Sequence, residues 1–302
     1  MDVNFVKLSP TQNMTLLITS PVDRKDHAEC ASQLMRYESV HAEQTGFVEK
    51  PRNEKAAARL QMAGGEFCGN AAMALAALIA RDKKLMHNGT HPLLLEVSGH
   101  SALVECLITP KDGYFIGKVR IPSPQFAESK EITVGDGVLS AQMVHFSGIT
   151  HMIITESLPE AKKRELINGV TQQYKDYTKE DALGILFLNK AAMEMEPFVY
   201  VPSAQSRVWE RGCGTGSAAV GYALTLQERR SLSLNLRQPG GIISVSSVFA
   251  DGEVSEIWIE GRIDIVAEGR AYCALPTVTD EKAEREALLA GVAAWINERI
   301  KP

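Results

Sequence analysis

The chain has 302 residues, 45% of them hydrophobic and 23% charged. That is an ordinary globular balance, with enough chain for a large core and a length more natural for two domains than one. A formal net charge of −5 argues against a nucleic-acid or anionic-membrane partner, since either would usually need a basic face. The first residues lack the basic region and apolar run of a signal peptide, and no stretch approaches the roughly 18 apolar residues of a spanning helix. The five cysteines are odd in number and widely spaced. They suit neither a disulfide framework nor a CxxC zinc site, so the expected compartment is a reducing cytoplasm.

In chain order, β-rich runs bounded by Gly, Pro, Ser or Asp predict strands over 14–19, 93–97, 103–108, 138–146, 152–155, 185–188, 198–201, 232–236, 242–248 and 257–259. Helical patterns fall at 28–36, 70–81, 160–168, 217–229 and 280–300, the last with Thr279 as a candidate N-cap. The helices at 70–81 and 217–229 are rich in small and apolar residues.

Those two helices belong to an internal repeat. Cys68-Gly69-Asn70-Ala71-Ala72 opens one, and Cys213-Gly214-Thr215-Gly216-Ser217 opens the other 145 positions later. A similar pair of strands follows each, and the turn glycines Gly99 and Gly240 lie 141 positions apart. Two similar α+β halves explain this pattern. An active site between them would bring one cysteine from each half toward a pseudo-twofold axis.

Each Cys-Gly unit combines two chemistries. A cysteine at a helix start sits at the positive end of the macrodipole, which should depress the thiol pKa of at least one of Cys68 and Cys213. The unpaired N–H groups of the first turn can hold a carboxylate. Two such units around one amino acid suggest inversion at Cα. One thiolate removes the α-proton, the opposing thiol delivers a proton to the other face, and the helix starts stabilise charge flowing into the carboxylate. Cys30, Cys106 and Cys273 read as small core residues.

Other readings are weaker. Gly214-Thr215-Gly216-Ser217-Ala218-Ala219 fits a loose dinucleotide fingerprint, but no Asp or Glu lies in 229–250 to hold a ribose. His87 and His91 have HxxxH spacing, but Gly89 between them and Pro92 after them read as a loop, so no metal site is expected.

At Phe67-Cys68-Gly69-Asn70-Ala71 and Trp209-Glu210-Arg211-Gly212-Cys213-Gly214-Thr215-Gly216 the chain resembles the diaminopimelate epimerase superfamily, which includes proline racemase-like and PhzF-like proteins. The resemblance runs from Gln12 to Tyr272. It implies an α+β fold of two pseudo-symmetric domains, each a curved, largely antiparallel sheet wrapped around a central helix, with boundaries expected at 1–122 plus 272–302 and at 123–271. It implies that Cys68 and Cys213 are the catalytic pair and that no cofactor is needed. Gly69, Asn70, Gly214 and Thr215 match positions whose backbone holds the α-carboxylate. Asn13 matches an asparagine near the substrate, Glu210 a glutamate at the α-amino group, and Arg211 an arginine for a distal carboxylate.

Within the superfamily, Glu43-Gln44-Thr45-Gly46-Phe47-Val48-Glu49, Gly148-Ile149-Thr150-His151 and Gln238-Pro239-Gly240-Gly241 are similar to the histidine racemases of staphylopine-type metallophore biosynthesis. Ile149 stands where diaminopimelate epimerases carry an asparagine, and losing that amide leaves a distal charged centre poorly paired. The expected substrate is therefore L-histidine, with diaminopimelate or another polar amino acid as rivals and a PhzF-like isomerase or binding protein as the alternative class. Glu43 and Gln44 are candidate partners for an imidazole, and His151 a candidate pocket residue. The only partner expected is a small amino acid; a homodimer is left open.

Overall fold

A computed structural model describes residues 1–135, 137–202 and 206–274. The helix expected over 280–300 lies outside the described residues.

The first half contains β1 (Asp2–Pro10), β2 (Thr15–Ile18), α1 (His27–Met35), β3 (Gln44–Glu49), β4 (Ala58–Met62), α2 (Gly69–Asp82), β5 (His91–Val97), β6 (Val104–Pro110) and β7 (Phe115–Arg120). The second contains β8 (Phe126–Val134), β9 (Gly137–Phe146), β10 (Ile149–Ile154), α3 (Glu160–Gln172), β11 (Ala182–Asn189), β12 (Glu194–Val201), β13 (Ser206–Trp209), α4 (Gly214–Glu228), β14 (Leu232–Gln238) and β15 (Gly241–Ala250). A 20-residue strand, β16 (Glu253–Tyr272), joins the halves.

Strands β1 to β7 pair in sequence order, and β16 closes the ring by pairing with both β7 and β1. From β16 the same sheet continues as β15-β14-β12-β11-β10-β9-β8, with β13 on β12. The repeat shows in the pairing senses. Strands β2 and β3 are parallel across α1, as β10 and β11 are across α3. Likewise β4 and β5 are parallel across α2, as β12 and β14 are across α4. The fold is α+β and strand-rich, with two related halves.

Composition explains the central helices. Gly69–Asp82 is Gly-Asn-Ala-Ala-Met-Ala-Leu-Ala-Ala-Leu-Ile-Ala-Arg-Asp, small or apolar on every face until its last turn, and nearly all of it is buried. A helix apolar all round must be enclosed, and alanines let surrounding strands approach closely. Helix α4 has the same character. One apolar core contains both helices, through Ala71, Leu75, Ala218 and Val220, together with Ile259 of β16. Helices α1 and α3 cover the outside of the halves over smaller cores.

The four predicted helices that fall among the described residues appear within a few residues of their expected ends. No run was expected at β1, β4, β7, β8 or β13, and of β16 only 257–259 was expected. The strand alternates buried and exposed residues through Ile263 but then carries Glu268 and Arg270. Those charges hide its β-character. Backbone pairing with β15, β7 and β1 sustains the strand.

Candidate active site

The two cysteines cap the two central helices in the same way. Cys68 is the N-cap of α2, with φ −133° and ψ 112°, and Cys213 is the N-cap of α4, with φ −104° and ψ 108°. Each sulfur accepts an N–H from the third helical residue: Ala71 at 3.4 Å and Gly216 at 3.3 Å. Extended backbone at the cap and a side-chain acceptor for the first turn are how serine and aspartate start helices; here sulfur does so twice.

Asn70 brings the helix starts together. Its Nδ2 donates to the carbonyl of Gly212 at 2.9 Å, the residue before Cys213. Gly214 permits the approach, because a Cβ there would lie 2.7 Å from Ile259 Cδ1 and 3.0 Å from Asn70 Oδ1. The first-turn N–H groups of Gly69, Asn70, Gly214 and Thr215 have no acceptor within their own helices. Asn70 Oδ1 is itself buried without a partner among the described residues.

Polar side chains gather around the sulfurs. The Cys68 thiol donates to Gln44 Oε1 at 2.9 Å, and Gln44 Nε2 donates to Asn13 Oδ1 at 2.6 Å and Thr15 Oγ1 at 2.7 Å. Glu210 interacts with Cys213 and Asn13, and its charge also reaches Cys68. Behind Cys213, its N–H donates to Gln238 Oε1 at 2.7 Å, Gln238 Nε2 donates to Ser217 Oγ at 2.8 Å, and the Ser217 hydroxyl donates to the Cys213 carbonyl at 2.6 Å. His151 is fully buried with Nε2 3.0 Å from Thr215 Oγ1. The structure thus brings together Asn13, Gln44, Cys68, Asn70, Glu210, Cys213 and Thr215, with His151 behind Thr215. Ile149 opens β10 and packs against the main core.

Arg211 stands apart. It is exposed, donating from Nε to Gln12 Oε1 at 2.7 Å and from a terminal nitrogen to the Pro239 carbonyl at 3.2 Å. In this arrangement the guanidinium braces the rim. The sequence reading missed Gln238 and Glu66 as neighbours of the thiols. A glutamate two residues before the first cysteine was a signal, whereas Gln238 lies 25 residues past Cys213 and only folding brings it back.

Electrostatics correct one expectation. Burial pushes the Cys68 thiol up to about 12, with the Ala71 N–H opposing and the charges of Glu66 and Glu210 adding to the rise. Burial and Glu210 hold Cys213 well above an ordinary thiol. Desolvation of a thiolate in this site outweighs the helix start that was expected to depress it. Burial also raises Glu210 to about 7. Glu43 rises to about 7 through burial and the nearby Glu210, against the pull of Arg211. Its Oε2 is buried without a partner among the described residues.

A stability prediction follows. A carboxyl whose folded pKa exceeds its unfolded value of about 4.3 stabilises the fold below that value and loses the contribution as pH rises through the folded pKa. Glu43→Gln should therefore melt a few degrees above the parent at pH 8 in the ligand-free protein, and the gain should vanish near pH 4. Thermal unfolding at both pH values checks it; an equal shift at both would show that ionisation is not the cause.

Among the described residues, no three His, Cys, Asp or Glu side chains are grouped to hold a metal, and no helix is long and apolar enough to cross a membrane. His91 opens β5 with Nε2 3.1 Å from the Met86 carbonyl.

This geometry can be set beside known proteins. A hydroxyproline epimerase from Agrobacterium vitis superposes with a TM-score of 0.71 at 12% identity, covering 89% of this chain and 92% of that one. A histidine racemase from Fusobacterium nucleatum subsp. nucleatum is 31% identical over 275 residues, 89% of this chain and 96% of the relative. A Staphylococcus aureus histidine racemase is 29% identical over 272 residues, 89% of this chain and 97% of the relative. The chain is accordingly an isomerase of the racemase and epimerase class. A family model described as the histidine racemase CntK N-terminal domain matches residues 2–272, and the chain belongs to the histidine racemase family.

Proposed function

We propose that this enzyme interconverts L- and D-histidine without a cofactor, using Cys68 and Cys213 on opposite faces of Cα. The observation that carries the reading is the duplicated cap: a thiol at the start of each central helix, joined through Asn70, with Glu210 acting on both.

The substrate carboxylate takes the first-turn N–H groups of Gly69, Asn70, Gly214 and Thr215, and Asn13 and Glu210 receive the α-ammonium. Burial holds both thiols in their protonated form. Binding the ammonium pairs the Glu210 charge that raises them, so that one thiol loses its proton to solvent more easily. The thiolate then takes the α-proton and the C–H electron pair spreads into the carboxylate. The helix starts hold that charge better than they hold the ground state. The opposing thiol gives its proton to the other face. Each turnover leaves the two sulfurs with exchanged protonation, ready for the reverse direction.

Glu43, with its bare Oε2, and Gln44 are the imidazole partners in this reading. Ile149 offers no amide to a second ammonium–carboxylate centre, and Arg211 is turned to Gln12 and Pro239, so diaminopimelate is disfavoured. D-histidine would feed opine-type metallophore assembly in the cytoplasm; a homodimer is compatible.

Incubation with a panel of L-amino acids in D₂O tests this reading. Histidine should gain α-deuterium and racemise at matching rates. Deuteration of a different amino acid, with histidine unchanged, would overturn the substrate; deuteration without loss of chirality would overturn the two-face mechanism.

A further inference from the structure

We propose that His151 is a positioning residue for Cys213, acting through the Thr215 hydroxyl, so that the two thiols work in unlike hydrogen-bond surroundings. The inference rests on the two-thiol reading above.

His151 lies in β10 opposite Gly184 of the parallel strand β11. The imidazole fills the space a side chain at Gly184 would need: a Cβ there would overlap Nδ1. The ring also meets the edge of Phe146, with centroids 6.1 Å apart and planes at 79°. It is therefore walled in, with one polar outlet, Nε2 to Thr215 Oγ1 at 3.0 Å. Nδ1 is buried without a partner among the described residues.

A neutral imidazole has one N–H to place. On Nδ1 it would be a buried donor with no acceptor, the rarer and costlier kind of orphan. On Nε2 it donates to Thr215. Burial holds the ring's pKa down to about 3, so it keeps this neutral role across the working range. Thr215 Oγ1, having accepted, sends its own hydrogen elsewhere, and Cys213 Sγ lies 3.9 Å away. Thr215 is the second residue of α4, so the helix fixes its backbone while His151 fixes its hydroxyl. A hydroxyl aimed at sulfur favours thiolate over thiol.

Cys68 has the opposite neighbour. Its thiol faces Gln44 Oε1, an acceptor, while the Gln44 amide hydrogens go to Asn13 and Thr15. That arrangement favours the protonated form. Glu210 opposes Thr215 at Cys213 while it is ionised and unpaired; a bound ammonium removes the opposition. Cys213 is then the readier base and Cys68 the readier acid.

The test compares His151→Leu, His151→Gln and Thr215→Val in the full chain. Iodoacetamide labelling at Cys68 and Cys213 is resolved by peptide mass, with folding confirmed by circular dichroism. His151→Leu and Thr215→Val should slow labelling of Cys213 by about tenfold, the effect of about one pKa unit, and that of Cys68 by less than about twofold. His151→Gln, with an amide N–H to offer Thr215, should recover most of the loss, and the Leu/Val double variant should be no worse than either single. In β-chloroalanine elimination, only the enantiomer still processed by Cys68→Ser should slow. Equal losses at both cysteines, a glutamine variant no better than leucine, or additive losses would overturn the proposal. Labelling needs no turnover, so the result stays readable even if no amino acid exchanges its α-proton and the racemase reading itself fails.

Discussion

Cys68→Ser and Cys213→Ser are each expected to lower histidine racemisation by about a thousandfold, the scale of losing a general acid or base. Serine is nearly the size of cysteine and caps helices well, so α2 and α4 should start where they do now, and melting temperatures should stay within about 2 °C of the parent. What is lost is acidity: an alcohol can neither shed its proton to become the base nor deliver one as readily as a thiol. Elimination from β-chloroalanine separates the two roles, because it needs only proton removal. Each variant should retain elimination from one enantiomer, and the two should retain opposite ones. Near-parental racemisation by either variant, with the fold intact, would end the two-base mechanism and leave that cysteine a structural cap.

Glu210→Gln should produce the next largest loss, about a hundredfold in kcat/KM. Glu210 is the carboxyl whose charge reaches both thiols and which interacts with Asn13 and Cys213. Glutamine keeps the shape and removes the charge that receives the ammonium. The pH profile carries the diagnostic. Burial lifts Glu210 to about 7, and only its ionised form pairs with the substrate, so kcat/KM of the parent should rise as pH passes through about 7. Glu43, also near 7, contributes to the same limb, so Glu210→Gln should flatten the limb, and Glu43→Gln with it should remove it. An unchanged acid limb in the double variant would assign the titration to another group. A loss confined to kcat, with KM unaltered, would mean that Glu210 serves the thiols and not the ammonium.

Local patterns made much of the site legible in the sequence. The Cys-Gly starts of α2 and α4 announce themselves because an N-cap, small first-turn residues and an apolar run are consecutive in the chain. Glu210 is legible for the same reason, standing three residues before Cys213. Asn70 was legible as a helix-start residue, but its bond to Gly212, 142 positions away, was not. His151 was legible as a pocket candidate from its turn motif, and Gln238 stood in a quoted motif, but their bonds to Thr215 and to Cys213 were not, because only packing of distant segments makes them.

By itself the sequence determined the two halves, the helices at their centres and the cysteines that start them, because these depend on residue spacing within a few turns. Only the tertiary structure decided what the thiols experience. A helix start alone predicts an acidic thiol, yet closing strands around α2 and α4 buries Cys213, half-buries Cys68 and brings carboxylates beside them, and desolvation outweighs the helix dipole. The same packing turns Arg211 outward to Gln12 and Pro239 and sets His151 behind Thr215. Burial and direction are properties of neighbours distant in the chain, and no local pattern encodes them.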